Sequence, residues 1–186
     1  MPTVNCMNIE IIVPALLMCM TWCCYVLRKR CTQRTVKLVA CLLFLVYVLG
    51  YLIITIFSRK PVDGLPVNLL PFKTYVGMYQ TICYATQIGE SVISTIFAKE
   101  FAIDGVIQNI LLYYPLGYLL PILFPRIKVK HVILVGCLCS IATEISQYIF
   151  RMGWCETDDV IHNMIGTGIG VGVWYLQSRG IGVEIS

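Results

Sequence analysis

The chain has 186 residues, of which 58% are apolar and 13% are charged, and its formal net charge is +4. A soluble domain is usually about 45–50% apolar and about 25% charged. This composition excludes a disordered or collagen-like chain and argues strongly against a water-soluble enzyme. We therefore expect a polytopic membrane protein.

Five segments are long and apolar enough to cross a bilayer as helices, which takes about 20 mostly apolar residues. The segments are residues 9–27, 36–57, 101–124, 131–150 and 160–176. The first is expected to stay as an anchor rather than be cleaved as a signal peptide, because Arg28, Lys29 and Arg30 follow it directly. The predicted fold class is an all-α, polytopic membrane helix bundle with about five transmembrane helices.

The positions of the basic residues predict the orientation. With the N-terminus outside and the C-terminus inside, nine of the fourteen Lys and Arg residues lie on the cytoplasmic side. The positive net charge is then explained by the charge of the inner leaflet, and no nucleic-acid partner is expected. The chain divides into a two-helix membrane anchor (1–57), a membrane domain (58–178) and a short cytoplasmic tail (179–186).

The connection 58–100 would lie outside the membrane. After turn residues that include Pro71, apolar side chains such as Met78, Ile82 and Ala85 recur near helical spacing, and Gly89 interrupts them. This pattern predicts an amphipathic helix on the outer membrane face. A soluble helix that packs over the bundle is an equally good interpretation.

The ten cysteines do not form a metal-binding pattern. Most fall inside predicted spans, where cysteine acts as a small apolar residue. Cys6, Cys83 and Cys155 lie on the outer side, which leaves a disulfide between two of them open. We expect no metal and no cofactor.

Polar residues in the fourth span form a stripe on one helix face. Glu144, Gln147 and Arg151 are spaced at i, i+3 and i+7 and rise toward the outer surface. A charge in the membrane is costly, so such residues normally face the bundle and have a partner. This stripe is therefore a candidate site.

An acidic loop follows, with Glu156, Asp158 and Asp159 at or just before the fifth helix. Acidic groups are favourable at a helix N-terminus, where they accept hydrogen bonds from free amides and interact with the helix dipole, so a capping role is the structural alternative. Asn163 lies one turn deeper than Asp159. His162 is interpreted as a polar residue at the membrane interface.

The third and fifth spans contain helix-shaping residues. Pro115 should kink the third span and free a carbonyl near Leu111, and Gly117 follows. In the fifth span, the pairs Gly166/Gly170 and Gly168/Gly172 have the small-xxx-small spacing that lets helices approach closely. We expect these glycines to serve packing.

Polar side chains from three helices lie toward the same outer end, whereas the inner halves of these helices are almost wholly apolar. They are Asn109, Glu144, Gln147, Arg151, Asp159 and Asn163. A transporter would more readily place polar residues at the midplane. The pattern predicts a pocket that is open to the outside, with interhelical hydrogen bonding alone as the structural alternative.

Three ordered blocks resemble the VanZ-like family, named for a protein associated with resistance to the glycopeptide teicoplanin. The first block, residues 67–72, contains Asn68 and Pro71, and the second, residues 108–117, contains Asn109, Pro115 and Gly117. The third block combines Glu144 and Gln147 with the acidic loop and with Asp159, Asn163 and Gly166. Gly153 stands where many members have arginine, and Glu156 stands where aspartate is usual.

The resemblance implies a multi-pass protein of the bacterial cytoplasmic membrane that confers low-level teicoplanin resistance. It would bind an amphiphilic ligand, namely a lipid-linked cell-wall precursor, a lipoglycopeptide or a membrane lipid. The candidate ligand-binding residues are Asn68, Asn109, Glu144, Gln147, Arg151, Glu156, Asp158, Asp159 and Asn163. A homo-oligomer is left open.

The alternative function is an intramembrane enzyme that modifies an envelope lipid or peptide. Burial would raise the affinity of Glu144 for a proton, which suits a general acid or base, and Asp159 would orient a partner. No serine or cysteine stands beside an obvious base in the sequence, so binding is the preferred interpretation.

Overall fold

The computed structural model describes residues 6–57, 64, 67–92, 103–153 and 155–182. Six α-helices form in this part of the chain, which confirms the predicted all-α class. They are α1 (Cys6–Arg30), α2 (Gln33–Leu52), α3 (Lys73–Gln87), α4 (Ile103–Leu123), α5 (Val129–Phe150) and α6 (Thr157–Gly180). A π-helical turn, Ile53–Phe57, continues α2, and two short strands, β1 (Val67–Asn68) and β2 (Cys155–Glu156), pair in parallel.

Among the described residues, four helices are long and apolar enough to cross a membrane, so the chain is a multi-pass membrane protein. They cover Ile12–Arg30, Gln33–Ile56, Asp104–Leu123 and Val129–Phe150 and correspond to the first four predicted spans. The fifth predicted segment is helical, as α6, but it does not meet the same criteria. Its glycines and its polar His162 and Asn163 lower its mean hydropathy.

The centre of the bundle is the contact between α4 and α6, which pack against each other more extensively than any other pair in the described part of the chain. Glycine makes this approach close. A Cβ atom at Gly166 would lie 2.2 Å from the Ile110 carbonyl oxygen, and one at Gly170 would lie 2.2 Å from that of Tyr114. Gly117 faces the Thr167 backbone in the same way. Gly168 and Gly172 meet nothing within 4 Å, so one of the two predicted glycine pairs faces α4 and the other does not.

Two apolar clusters complete the core on either side of α4. One joins α4 to α1, α2 and α6 through side chains that include Cys24, Ala40, Tyr118 and Trp174. The other joins α4 to α5 and α6 through Tyr113, Leu116, Leu120, Val132 and Val171. The opposite face of α2 exposes a run of large apolar side chains, as expected for a helix that faces lipid: Leu38, Leu42, Leu45, Val46 and Leu49.

The helix predicted in the outer connection is present as α3. It follows a turn that contains Pro71 and ends before Gly89, whose φ of +76° is readily adopted by glycine. Several large apolar side chains on and just before α3 are exposed, among them Leu70, Phe72 and Tyr79. The later part of the predicted amphipathic pattern, residues 93–100, lies outside the described residues.

Candidate functional site

One face of α5 supplies buried polar side chains. Ser140, Glu144 and Gln147 follow one another at spacings of four and three residues and are 0%, 4% and 2% exposed. They continue a buried stripe that begins with Val132 and Gly136, so the whole stripe faces the bundle. We call the buried polar residues at this end of α5 and α6 the polar cluster: Ser140, Glu144, Gln147, Asp158, His162 and Asn163.

Glu144 holds the acidic loop in place. Its Oε2 atom accepts a hydrogen bond from the backbone N–H of Glu156 at 2.9 Å. Glu156 in turn pairs with Asn68 across the β1–β2 bridge, and Asn68 Nδ2 donates to Glu156 Oε1 at 3.3 Å. The structure thus brings Asn68 to Glu144 and Glu156, although Asn68 lies 88 residues before Glu156 in the sequence.

Asp158 caps a helix other than its own. Its carboxylate accepts hydrogen bonds from the backbone N–H groups of Phe72 and Thr74 at the N-terminus of α3, the second at 2.8 Å. These amides have no partner inside their helix, and the positive end of the helix dipole favours an anion there. The structural alternative for the acidic loop was a cap for the fifth helix, whereas the Asp158 carboxylate serves α3, which begins 85 residues earlier, at Lys73.

Burial raises the pKa of Asp158, but the hydrogen bonds from Thr74 and Phe72 outweigh it and hold the pKa below its ordinary value of 3.8. The ionised carboxylate therefore stabilises the folded state.

His162 is part of the polar cluster, although its sequence position predicted only an interfacial residue. It is 1% exposed, and its Nε2 atom lies 2.8 Å from the Tyr75 hydroxyl oxygen of α3. Its Nδ1 atom lies 4.0 Å from Asp159 Oδ1, with the Asp159 side chain 22% exposed. The sequence position of His162 could have predicted its burial, because it lies one turn beyond Asp158 and directly before Asn163 on α6. Asp158 and His162 together fasten the first turn of α3 to α6.

Three buried polar atoms of the polar cluster have no hydrogen-bond partner among the described residues. They are Gln147 Oε1, His162 Nδ1 and Asn163 Oδ1. The amide nitrogens are engaged: Asn163 Nδ2 donates to Ser140 Oγ at 2.8 Å, and Gln147 Nε2 lies 3.5 Å from the Thr55 carbonyl oxygen in the π-helical turn. An unsatisfied buried polar group costs about 1–3 kcal/mol, so these atoms call for water or a bound molecule.

The polar groups continue deeper into the bundle as a set of hydroxyls that the sequence reasoning missed. The Tyr51 hydroxyl lies 2.7 Å from that of Tyr113 and also hydrogen-bonds to Thr143. Thr143 precedes Glu144 on α5, so these hydroxyls adjoin the polar cluster. Isolated tyrosines in apolar helices gave no signal, because only the packing of α2 against α4 and α5 brings them together.

The remaining predicted residues lie at the edge of this arrangement. Arg151 follows the last residue of α5 in a left-handed conformation (φ 55°) and is exposed, so the buried stripe stops at Gln147. Asn109 is half-buried on α4, next to Ile110, whose carbonyl contacts Gly166. No group of three or more His, Cys, Asp or Glu residues in the described part of the chain could hold a metal ion. Cys83 and Cys155 are free thiols.

Comparison with protein families decides what kind of protein carries this arrangement. Residues 38–178 match the VanZ/LLP1 family over about three quarters of the chain. The chain belongs to the VanZ/LLP1 family. Comparisons with curated proteins and with solved structures gave no match.

The VanZ/LLP1 match includes all three sequence blocks that carry the resemblance. It also begins at Leu38 within α2, and therefore takes in most of the second helix of the predicted two-helix anchor. In the folded chain, the first block directly precedes α3, the second lies on α4, and the third supplies the polar face of α5 and the start of α6. The blocks meet at one end of the bundle.

The lowered pKa of Asp158 predicts how this VanZ/LLP1 protein responds to acid. Because the folded pKa lies below 3.8, the stabilisation is complete above that value and is lost as the pH falls through the folded pKa. We expect the Phe72 and Thr74 amides to lose hydrogen-exchange protection, relative to an unstructured peptide at the same pH, only in strong acid. In Asp158→Asn, these amides should already lack much of this protection at neutral pH, and their protection should not change further as the pH falls. Identical profiles for both proteins would contradict the capping role.

Proposed function

We propose that this protein binds the head group of an amphiphilic cell-envelope molecule at the polar cluster, and that this binding lowers susceptibility to teicoplanin. The ligand class is a lipoglycopeptide or a lipid-linked cell-wall precursor. The observation that carries the proposal is the set of three buried, unpartnered polar atoms on Gln147, His162 and Asn163. They lie beside polar groups that do have partners, such as Glu144 with the Glu156 amide and Asn163 Nδ2 with Ser140.

The chemistry of these atoms favours an uncharged, hydrogen-bonding part of the head group. Two are amide carbonyl oxygens, which accept from the N–H groups of peptides and the hydroxyls of sugars. The carboxylates of Glu144 and Asp158 bind backbone amides of the protein itself. Arg151 is exposed at the end of α5 and would meet a phosphate or carboxylate of the same ligand.

Apolar surface beside the polar cluster suits the tail of such a molecule. On α5, Ile145, Ile149 and Phe150 are exposed next to the buried Glu144 and Gln147. An amphiphile would place its head among the buried polar groups and its acyl chain along this face. A membrane lipid, which has an acyl chain but no peptide or sugar head, would bind along the same apolar surface.

The proposal places the polar cluster outside the cytoplasm. Basic residues gather at the opposite end of the helices, at the end of α1, between α4 and α5, and at the end of α6, and such residues favour the cytoplasmic side. It also treats α6 as a fifth span, because α6 packs on α4 along one face and exposes Ile165, Ile169 and Leu176 on another. The N-terminus is then outside the bacterial cytoplasmic membrane and the C-terminus inside.

We favour binding over catalysis because the Glu144 carboxylate has a structural task. Its Oε2 atom accepts from the Glu156 amide, which fixes the loop before α6. An acid or base that exchanged protons in each cycle would weaken this contact repeatedly. The geometry therefore supports a site that is held in shape for a ligand.

Gln147→Leu tests the proposal with little change of volume. The Oε1 atom has no protein partner to lose, and the Nε2 atom makes only a long contact of 3.5 Å with the Thr55 carbonyl, so we expect a small loss of stability and a folded protein. Binding of teicoplanin to the purified variant, measured by calorimetry, should weaken about tenfold or more because the Oε1 acceptor is gone. In a deletion strain, this variant should fail to restore resistance.

Ser146→Ala is the matched control, because Ser146 is the neighbouring residue and its hydroxyl donates to the Ala142 carbonyl of its own helix. It should bind teicoplanin and restore resistance as the wild type does. Teicoplanin from which the acyl chain has been removed should bind more weakly than the intact molecule. Equal binding and equal rescue by wild type and Gln147→Leu would refute the proposed site.

A further inference from the structure

A second polar site lies at the basic end of the bundle, where α1 ends beside the last turns of α6. Arg28 Nη2 donates to Ser178 Oγ at 2.6 Å, across 150 residues of sequence. Ser178 is fully buried and donates in turn to the Trp174 carbonyl at 2.7 Å. The Arg28 side chain is thus held by a buried partner on another helix.

Tyr118 of α4 forms the floor of this site. It is fully buried, and its hydroxyl donates to Gln177 Oε1 at 2.6 Å and lies 3.2 Å from the Thr21 carbonyl oxygen of α1. Its ring stacks on Tyr114, with the planes 8° apart and the centroids separated by 6.1 Å. Three helices therefore fix the side chains of this basic-end site, which consists of Arg28, Tyr118, Gln177 and Ser178.

The positive charge at this site has no carboxylate partner among the described residues. Arg28 Nη1 is buried and makes no hydrogen bond there, and no carboxylate in the described part of the chain forms an ion pair with Arg28. The nearby charges have the same sign. Lys29 lies over the Tyr25 ring at 4.7 Å and Arg179 over the Tyr175 ring at 6.0 Å. An unpaired guanidinium donor in a membrane protein calls for an anion.

The surroundings of this site are typical of the level of lipid head groups in a membrane protein. Trp22 and Tyr175 are exposed, and such aromatic side chains gather at the boundary between hydrocarbon and water. Leu176 is also exposed, at 69%, and provides apolar surface next to Gln177. Guanidinium groups bind phosphate oxygens through paired hydrogen bonds, and basic pockets between transmembrane helices bind anionic lipid head groups.

We propose that the basic-end site binds the phosphate of an anionic phospholipid. A phosphate oxygen would accept from Arg28 Nη1, and the acyl chains would lie along the exposed face that carries Trp22 and Leu176. The bound lipid would strengthen the link between α1 and α6, because Ser178 of α6 already holds the Arg28 side chain of α1. This site lies at the opposite end of the bundle from the polar cluster and is independent of the function proposed there.

Thermal unfolding of the full-length protein in a neutral detergent, with phosphatidylglycerol or phosphatidylcholine added, tests the proposal. Phosphatidylglycerol should raise the unfolding temperature in a saturable way, whereas phosphatidylcholine should not. Native mass spectrometry should show retained phosphatidylglycerol. Arg28→Gln should weaken the apparent affinity for phosphatidylglycerol about tenfold or more, because it removes the charge and the forked donor.

Arg34→Gln is the matched control, because Arg34 is an exposed residue in the first turn of α2 at the same end of the bundle. It removes the same charge and should leave the response to phosphatidylglycerol unchanged. Arg28→Lys keeps the positive charge but lacks the planar guanidinium group with its paired donors, so its affinity for phosphatidylglycerol should be intermediate. This variant replaces Arg28→Gln in the test if Arg28→Gln does not fold.

Three outcomes would overturn the lipid site. Equal weakening by Arg34→Gln would mean that only general surface charge attracts the lipid, and an equal response to phosphatidylcholine would mean that the phosphate charge is not recognised. A response to inorganic phosphate alone as large as that to phosphatidylglycerol would assign the site to a soluble anion. In each case the teicoplanin experiment on Gln147→Leu is unaffected.

Discussion

Gly166→Ala is expected to lower the free energy of unfolding by about 1–3 kcal/mol or more, because a side chain there has no room. Its Cβ would lie 2.2 Å from the backbone oxygen of Ile110, which cannot rotate away as a side chain could. Relief would require α4 and α6 to separate, and this pair is the centre of the bundle. The measurement is equilibrium unfolding of the purified protein in detergent, supported by the yield of folded protein.

Gly168→Ala provides a control with the same chemistry on the same helix. A Cβ at Gly168 meets nothing within 4 Å, and alanine is favoured over glycine in a helix by about 1 kcal/mol. This variant should therefore be as stable as the wild type or more stable. If the two variants have the same free energy of unfolding, α4 and α6 do not approach each other closely at Gly166.

Glu144→Ala is expected to lower the free energy of unfolding by about 2–4 kcal/mol. The change removes a charged acceptor, leaves the Glu156 N–H without its partner, and opens a cavity at a position that is 4% exposed. Hydrogen exchange should show that the Glu156 amide loses protection. Under the proposed function, teicoplanin resistance should fall as well, because the polar cluster loses its shape.

Glu144→Gln separates the structural role of this residue from an acid–base role. Glutamine keeps an oxygen that can accept from the Glu156 amide, so most of the stability and the resistance should return. A general acid or base would be lost in this variant, so a stable Glu144→Gln protein without resistance would favour the enzyme alternative over binding.

Glu90→Ala is the control for the stability measurement, because it removes a glutamate at an exposed position. It should change the free energy of unfolding by no more than about 0.5 kcal/mol.

The sequence was sufficient for the membrane-spanning helices, because apolar segments of about 20 residues leave the backbone few alternatives in a bilayer. It could not say which glycine pair faces α4. Gly166/Gly170 and Gly168/Gly172 have the same spacing, and only the rotation of α6 against its neighbour distinguishes them. That rotation is a tertiary property.

The same limit applies to the candidate site. The buried positions of Glu144 and Gln147 follow from helical periodicity, and Asn163 follows from its spacing in the third block. The partner of Asp158 could not be found this way, because α3 is remote in sequence and its free amides carry no side-chain signal. Helical continuity also suggested that Arg151 extends the stripe, whereas α5 ends one residue before it.

The cap that Asp158 provides for α3 has a consequence for the order of biogenesis. Residues 67–74 leave the ribosome long before residue 158, so the first amides of α3 lack this acceptor while α4 and α5 are inserted. The parallel bridge between Val67 and Cys155 is delayed in the same way. The N-terminal turn of α3 can therefore gain its cap only after residue 158 has been synthesised, so this turn is completed later than its place in the sequence would suggest.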